Sequence, residues 1–288
     1  MDATEQKPFA DWIGRQGESF DVVSERLVQS FRAIFEPNLA PLAAGHAPLG
    51  IHWCLSPAIA AMDQLGADGH PAKNLSLPPV PQPRRMWAGG ELQVHDAFRI
   101  GDEVRRVSTI RDVVCKQGQS GELWFVAVDH RYHTSRGIAL SERHDIVYRE
   151  AAAALPKHPA PDREKATPAP SRPVGRSWAL VPSSTLLFRY SAITFNGHRI
   201  HYDLPYATQA EGYGGLVVHG PLQATLLFNL AAVHGTGIPA TFRYRGVAPA
   251  IAGHNLTIAA SPEGRRFWTQ GDGGVVHMEA DVDRDPAV

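Results

Sequence analysis

The stretch HGPLQATLLFNLAAV, residues 219–233, decides the expected architecture of this chain. It predicts a helix from Leu222 to Val233, with Pro221 in the first turn, where the missing N–H of proline removes no hydrogen bond. Gly235 supplies a stop signal. Because apolar side chains cover nearly every face of this helix, we expect it to be buried inside a sheet rather than to lie on the surface.

Most of the remaining chain is predicted to form strands separated by turns. The first half opens with a predicted helix, Ser24 to Phe35, which Ser24 can cap. Pro57 to Leu65 is predicted to be a second helix that stops at Gly66, and Ser184 to Ile193 to be a strand. Helices against antiparallel strands indicate the α+β class. The predicted strands are Glu91 to Phe98, Glu103 to Val114, Leu123 to His133, Ile138 to Tyr148, Ala240 to Val247, Leu256 to Ser261, Arg266 to Gln270 and Val275 to Val282.

A proline-rich segment divides the chain into two halves. Residues 151–173 contain six prolines and no aromatic residue, which favours an extended linker over a helix or sheet interior. We therefore predict domains at residues 1–150 and 176–288, joined by a linker at 151–175. DAFRIGDEV (residues 96–104) is weakly similar to VAPAIAGHNL (247–256), which favours a duplication over two unrelated α+β domains.

Composition narrows the class of protein and its partners. Hydrophobic residues make up 43% of the chain and charged residues 20%, which is ordinary for a globular protein. A net charge of -1 offers no general attraction for nucleic acid or an anionic membrane. The two cysteines, Cys54 and Cys115, form no CxxC motif, which argues against a disulfide framework or a thiolate metal site. The N-terminus lacks a secretory signal and no apolar run approaches 18 residues, so we expect a cytoplasmic protein with no membrane contact.

A second stretch, FNGHRIHYD at residues 195–203, carries the candidate chemistry. It contains a cluster of polar side chains, namely an asparagine, two histidines, an arginine and an aspartate. Such a cluster is unusual outside a binding site. The turn GLVVHGPL, residues 215–222, follows it and begins the predicted buried helix. The start of a helix offers free N–H groups and a positive dipole end, which stabilise negative charge on an oxygen atom.

Together these two stretches resemble the signature of the (R)-specific enoyl-CoA hydratases, also called hydratase 2 or MaoC-like enzymes. His201 and Asp203 match the H-x-D of that signature, Ser191 its leading serine, and His219-Gly220 the H-G that opens its central helix. In the first half, residues 84–92, 104–128 and 143–150 resemble the double-hotdog branch of the family. That branch includes 3-hydroxyacyl-thioester dehydratases and mesaconyl-C4-CoA or itaconyl-CoA hydratases.

The resemblance implies an α+β double hotdog, with two helix-wrapped antiparallel sheets in one chain and catalysis in the second. It implies hydration of an enoyl-CoA or dehydration of a 3-hydroxyacyl-CoA, with mesaconyl-C4-CoA or itaconyl-CoA, hydrated to citramalyl-CoA, as candidate substrates. CoA is part of the substrate, and no separate cofactor or metal is implied. The chain departs from the signature at Asn196, which stands where the simple hydratases have their acid and which cannot titrate.

The proton transfer is therefore assigned to His201 as general base, with His198 in reserve. Asn196 would hold the water, and the Gly220 N–H would stabilise the thioester oxygen. The other residues predicted to contact the substrate are His198, Arg199, Tyr190 and His219, and those predicted to meet the CoA phosphates are Arg243, Arg245, Arg84 and Arg85.

Several alternatives stay open at this point. His198 and His201 could form an HxxH metal pair, His201 could be a packed core residue, and Asp203 is better explained as a helix cap than as a catalytic acid. Arg243 and Arg245 could form a solvated strand face. A thioesterase and a non-catalytic acyl-thioester binding protein are the competing functions. Pairing two hotdog copies in one chain would cover part of the edge that each sheet exposes, and a homodimer is a candidate assembly.

Overall fold

The computed structural model describes residues 8–118, 121–150, 172–235 and 237–283. The first 21 residues of the predicted linker, 151–171, lie outside these ranges. In the described part of the chain, no helix has the length and apolar character needed to cross a membrane.

Ten antiparallel strands form one continuous sheet, and three α-helices pack on it, which confirms the α+β class. The helices are α1 (Glu25–Phe35), α2 (Ser184–Ile193) and α3 (Gly220–Gly235). The strands are β1 (Gln16–Val22), β2 (Arg84–Val94), β3 (Glu103–Gly118), β4 (Gly121–Thr134), β5 (Gly137–Arg149), β6 (Arg176–Leu180), β7 (Thr241–Gly246), β8 (Leu256–Ala260), β9 (Arg266–Gln270) and β10 (Val276–Asp283).

The sheet contains the same strand order twice. The full order is β1-β3-β4-β5-β2-β7-β10-β9-β8-β6, so that five strands from each half occur in the same sequence from the outer edge to the centre. The halves join where β2 pairs antiparallel with β7, with Gly90 opposite Tyr244. This repeat is the architecture expected of a duplicated hotdog unit.

The two weakly similar stretches lie at equivalent places in this repeat. Residues 96–104 connect β2 to β3, and residues 247–256 connect β7 to β8. Each connection turns at a glycine with positive φ, Gly101 at 92° and Gly253 at 85°. Only glycine adopts this conformation at little cost, so the shared glycine has the same conformational cause in both halves.

The predicted buried helix is confirmed as α3, which lies in the core between the two halves. Two of its buried polar residues, Asn229 and Gln223, hydrogen-bond to other parts of the chain. Asn229 accepts from the Ala40 N–H at 3.0 Å and donates to the Leu49 carbonyl at 3.0 Å, both in the first half. Gln223 accepts from the Thr269 hydroxyl in β9 at 2.7 Å. The helix is therefore buried on all faces because both halves contact it.

Two predicted elements are wrong. Ser184–Ile193 is the helix α2 and not a strand, because Ser183 caps it by accepting from the Leu186 N–H at 3.1 Å. Pro57–Leu65 is not a helix and contains only a 3-10 turn at Met62–Gln64. Ile59 and Met62 are more than four-fifths exposed, so this segment has no buried apolar face to stabilise a helix.

The two sheets of the predicted double hotdog are joined edge to edge, through the pairing of β2 with β7. The strands form a single sheet, and only the second half contains a long central helix. Residues 36–83 of the first half form loops and short 3-10 turns instead. One of these loops, residues 66–72, reaches the second half and contributes to the candidate site.

Candidate active site

The candidate segment begins directly after α2. Phe195 has a φ of 48°, a left-handed conformation that turns the chain sharply. The Asn196 side chain then accepts a hydrogen bond from the His198 N–H at 2.9 Å, which fixes the following turn. A 3-10 turn, Arg199–His201, places His198 and His201 in the interior.

His201 is buried and oriented by a backbone group. Its Nδ1 donates to the Val217 carbonyl at 2.7 Å, so its other ring nitrogen, Nε2, is the free acceptor in the neutral imidazole. Burial lowers its pKa to about 4, opposed by the Val217 carbonyl and reinforced by His70. The ring is therefore neutral near pH 7 and has the protonation state required of a base.

His219 stacks on His201, with ring centroids 3.6 Å apart. Its Nε2 lies 2.8 Å from the Ser191 hydroxyl, which connects the predicted leading serine to the site. Tyr190 packs edge-on against His219 at 5.0 Å. Burial holds the pKa of His219 well below its usual value. The structure thus brings together His201, His219, Ser191 and Tyr190 as expected.

Gly220 begins α3, so its N–H belongs to the first helical turn, whose donors have no partner within the helix. A side chain at this position would collide with Trp87 of β2, since an added Cβ would lie 2.5 Å from the indole ring. The absence of a side chain at Gly220 therefore has a packing reason that the sequence alone did not reveal. Trp87 belongs to the first half, so both halves shape the start of α3.

The sequence analysis missed two residues that the first half contributes. His70 Nδ1 donates to Asp68 at 2.9 Å, and the His70 ring lies 4.2 Å from that of His198. The Arg199 N–H donates to the Asp68 carbonyl at 2.9 Å. An added Cβ at Gly69 would lie 2.0 Å from the Gly197 carbonyl, so the two loops touch backbone to backbone.

The predicted cap at Asp203 is confirmed. The same carboxylate also accepts hydrogen bonds from Arg199. Asp203 accepts from the Tyr206 N–H at 3.1 Å. Arg199 donates to the same carboxylate at 2.8 and 3.0 Å and to the Ala67 carbonyl at 3.0 Å. The Tyr206 N–H and Arg199 hold the pKa of Asp203 below its usual value. The Arg199 guanidinium is thus held by protein acceptors rather than left free for a ligand.

Of the four arginines predicted to meet CoA phosphates, three have carboxylate partners. Arg84 is buried and ion-paired with Glu211 at 2.5 Å. Arg243 pairs with Glu91 at 2.8 Å, and Arg245 with Glu279 at 3.0 Å. Both Arg243 and Arg245 lie on the sheet face opposite the buried core side chains of β7, and therefore away from α3. This geometry does not favour the three as phosphate ligands.

Arg85 differs from these three. Within the described ranges, its guanidinium has no hydrogen-bond or ion-pair partner. Its charge lowers the pKa of both His70 and His198, which shows that it lies near the histidines. Among the four predicted arginines, Arg85 is therefore the one available to an anionic group beside the site.

Two groups of side chains have the spacing that a metal ion would require. Asp68, His70 and His198 offer ligand atoms within 4.8 Å of one another, as do His130, Glu142 and His144 in the first half. The predicted HxxH pair, His198 with His201, is in neither group. In the first group, Asp68 and His70 hydrogen-bond directly to each other, which favours a proton-sharing pair over two ligands turned toward one ion.

The second group surrounds a buried carboxylate, Glu142. It accepts hydrogen bonds from Trp53 at 2.8 Å, Tyr244 at 3.0 Å and Tyr132 at 3.3 Å. His144 lies 2.9 Å from the same side chain. Nearby histidines hold the pKa of Glu142 low against the effect of burial. This network joins β4 and β5 of the first half to β7 of the second.

Comparison with known proteins shows the family of the chain. The model of the family "Hydroxyacyl-thioester dehydratase type 2" matches residues 50–252. The mesaconyl-C(4)-CoA hydratase of Chloroflexus aurantiacus is 39% identical over 277 residues, which cover 94% of this chain and 96% of that protein. The mitochondrial hydroxyacyl-thioester dehydratase type 2 of Saccharomyces cerevisiae is 26% identical over 75% of this chain and 76% of its own.

Solved structures support the fold. A MaoC-like dehydratase superposes with a TM-score of 0.65 at 15% identity, covering 96% of this chain and 99% of its own. A Mycobacterium tuberculosis protein with a double hotdog fold gives a TM-score of 0.57 at 14% identity, covering 94% of this chain and 96% of its own.

Proposed function

Because the chain belongs to the hydroxyacyl-thioester dehydratase type 2 family of hydro-lyases, we propose that it interconverts an enoyl-CoA and the corresponding 3-hydroxyacyl-CoA. The observation that carries this proposal is the position of His201. Its ring is fixed through Nδ1 on the Val217 carbonyl and stacks on His219, the residue before the N–H donors of α3. A base and oxyanion donors thus lie on adjacent segments.

In the hydration direction, Nε2 of His201 accepts a proton from water as the water oxygen bonds to Cβ of the substrate. The electrons of the carbon–carbon double bond move to the thioester oxygen, which becomes an enolate. The N–H of Gly220 and the dipole of α3 stabilise that negative charge. The proton that His201 took from water is then returned to Cα and the thioester carbonyl is restored, so that the base is regenerated and the net reaction adds one water.

We further propose a short dicarboxylic acyl group, as in mesaconyl-C4-CoA or itaconyl-CoA, hydrated to citramalyl-CoA. Support comes from the activity named for the Chloroflexus aurantiacus relative. Arg199 was predicted to contact the substrate, but its guanidinium is held by Asp203. Arg85 is the better candidate for an anion of the substrate, because its charge is unpaired among the described residues and acts on the site histidines.

Charge recognition can be tested with two substrates. If Arg85 meets the acyl carboxylate, Arg85→Gln lowers kcat/KM for mesaconyl-C4-CoA by about tenfold or more, and leaves crotonyl-CoA nearly unchanged. An equal loss for both substrates would place Arg85 at a CoA phosphate instead. Arg199→Gln is the matched control, and a selective loss there would restore its original assignment.

The base is tested by measuring His201→Ala and Asn196→Ala side by side with crotonyl-, mesaconyl- and itaconyl-CoA. Removal of a general base lowers the rate about 10²- to 10⁴-fold, and that range is expected for His201→Ala. Asn196→Ala should lose less, since it removes a polar contact and no titrating group. Near-wild-type turnover by His201→Ala would show that the assignment is wrong.

The same assay separates the competing functions. Hydration removes the enoyl absorbance and adds the mass of one water without releasing thiol. A thioesterase would release free CoA thiol with the enoyl absorbance intact, and a binding protein would saturate without turnover. The cytoplasmic location and the homodimer are still predictions, which cell fractionation and light scattering would test.

A further inference from the structure

The two halves meet at the candidate site through one loop of the first half, residues 66–72. This loop contacts the catalytic segment through its backbone, as Gly69 lies against Gly197. It also presents one carboxylate and one imidazole to the histidines, joined by the 2.9 Å hydrogen bond from His70 to Asp68. The second half was predicted to carry all of the catalysis, and this contact indicates a role for the first.

The neighbouring histidines lack such a partner. His201 donates to a neutral carbonyl, that of Val217, and His219 is bonded to the Ser191 hydroxyl. Neither group stabilises a positive charge as a carboxylate does. Asn196, in the position of the family's acid, cannot exchange a proton. Neither His201 nor His219 therefore has a carboxylate that would stabilise an imidazolium while the proton is held between its release from water and its transfer to Cα.

We propose that Asp68 and His70 form the second proton-transfer unit of this active site, in which His70 receives the proton released by His201 and delivers it to Cα of the substrate. This inference rests on the proposed hydration. His70 is the catalytic residue, and Asp68 is a positioning residue that fixes the ring and stabilises its imidazolium. The unit replaces the acid that Asn196 cannot provide.

The protons and electrons balance. His201 Nε2 accepts a proton as the water O–H bond breaks and the Cβ–O bond forms. That proton passes to Nε2 of His70, whose ring lies 4.2 Å from that of His198, which in turn lies 5.3 Å from that of His201. The product is an imidazolium paired with Asp68. The enolate electron pair then forms the Cα–H bond with this proton, and both rings return to their neutral state.

The electrostatics fit two rings that share one proton. His70 lowers the pKa of His201, so a charge on one ring opposes a charge on the other. The hydrogen bond to Asp68 raises the pKa of His70 against the larger effect of burial. The groups whose charges act on this pair are Lys73 on the same segment, Arg85 of β2, Tyr148 of β5, and His198, His201 and Tyr206 of the second half.

The test measures kcat and KM of full-length wild type, His70→Gln, Asp68→Asn and the double variant with the best enoyl-CoA. We expect His70→Gln to lower kcat about 10²-fold or more with KM changed only slightly. The double variant should be no slower than His70→Gln alone, because residues that act as a unit are not additive. The exposed His254→Gln is the control, with no change expected.

A pH profile separates positioning from packing. Asp68→Asn removes the group that raises the pKa of His70, so the acidic limb of kcat/KM should move to lower pH. A purely structural role would lower activity at every pH without moving the limb. Thermal unfolding would reveal whether His70→Gln folds poorly. In that case the proposal is tested with Asp68→Asn alone. The Oδ1 atom of this variant can still accept the 3.1 Å hydrogen bond from the His70 N–H.

The outcomes are distinct. Turnover near wild type in His70→Gln, with His201→Ala inactive, overturns the unit and leaves the proposed hydration intact. A wild type that hydrates no enoyl-CoA overturns both. One equivalent of tightly bound metal, with activity lost on chelation and regained on metal addition, would make Asp68, His70 and His198 a metal site and also overturn the proton-transfer unit.

Discussion

In the part of the chain that the structure describes, two clusters of buried and half-buried histidines differ in the hydrogen bonds that their polar atoms make. The active-site cluster comprises His70, His198, His201 and His219 with Asp68 at its edge. The sheet cluster comprises His52, His130 and His144 around Glu142, which accepts bonds from three aromatic side chains. In the sheet cluster the carboxylate is central and fully bonded, as a structural network requires. In the active-site cluster, His70, His201 and His219 are each hydrogen-bonded through one ring nitrogen, and the Asp68 carboxylate accepts from the ring of His70.

The two clusters are connected through aromatic rings. Tyr244, which donates to Glu142, stacks on Trp87 at 4.6 Å, and Trp87 lies against Gly220 at the start of α3. The sheet cluster therefore supports the position of the helix whose first N–H groups are the proposed oxyanion donors. We infer that similar residues serve stability in one cluster and the proposed proton transfer in the other, according to which atoms are left free.

The largest stability effect should come from Glu142→Ala. It leaves three donors, Trp53, Tyr132 and Tyr244, without their acceptor, and each unpaired buried donor costs about 1–3 kcal/mol. We expect the free energy of unfolding in urea to fall by about 3 kcal/mol or more. Glu279→Ala, which removes partly exposed pairs with Arg172 and Arg245, should cost less than about 1 kcal/mol. Equal losses would mean that the sheet cluster is not a structural network.

Gly220→Ala should have an intermediate effect and tests the connection between the clusters. Its Cβ would collide with Trp87, and overpacking costs about 1–3 kcal/mol. Trp87→Leu in the same chain should recover stability in a double-mutant cycle, but not turnover, if the thioester must approach the Gly220 N–H closely. Recovery of turnover as well would show that the glycine serves only the packing of Trp87.

The elements and residues that follow from a local sequence pattern were predicted, and those that depend on contacts between distant segments were missed. The strand Arg266–Gln270 and the buried helix follow from continuous patterns, and the histidines of residues 195–203 are close along the chain. The two strands that were missed, Gln16–Val22 and Arg176–Leu180, are the two edges of the sheet. Edge strands are largely exposed on both faces and lack the alternation on which strand prediction depends.

The same reasoning explains the missed site residues. Asp68 and His70 are more than 120 residues from His198, and nothing in the local sequence DGH marks them as part of a site. Arg243 and Arg245 were correctly placed on one strand face, but the two-residue period does not tell which face meets the helix. Their acidic partners come from neighbouring strands, and only the sheet register brings those residues together.

The smallest expected effect is a change in the slope of stability against pH. Burial lowers the pKa of His130 to about 3 and that of His201 to about 4, so both are neutral in the folded protein near pH 5. An unfolded histidine titrates near 6.5, so between about pH 6.5 and 4 the unfolded state binds more protons. Stability from each ring is therefore present above pH 6.5 and is lost as the pH falls, by about 1.4 kcal/mol per pH unit.

Replacing either ring should flatten that slope equally, even though one belongs to the sheet cluster and the other to the active-site cluster. Urea unfolding of His130→Gln and His201→Gln at pH 5, 6 and 7 measures it, with the exposed His254→Gln as a control of unchanged slope. If His130→Gln leaves the slope unchanged, His130 is already protonated beside Glu142 in the folded protein. The sheet cluster would then hold a buried ion pair, and the contrast with the active-site cluster would lie in charge as well as in hydrogen bonding.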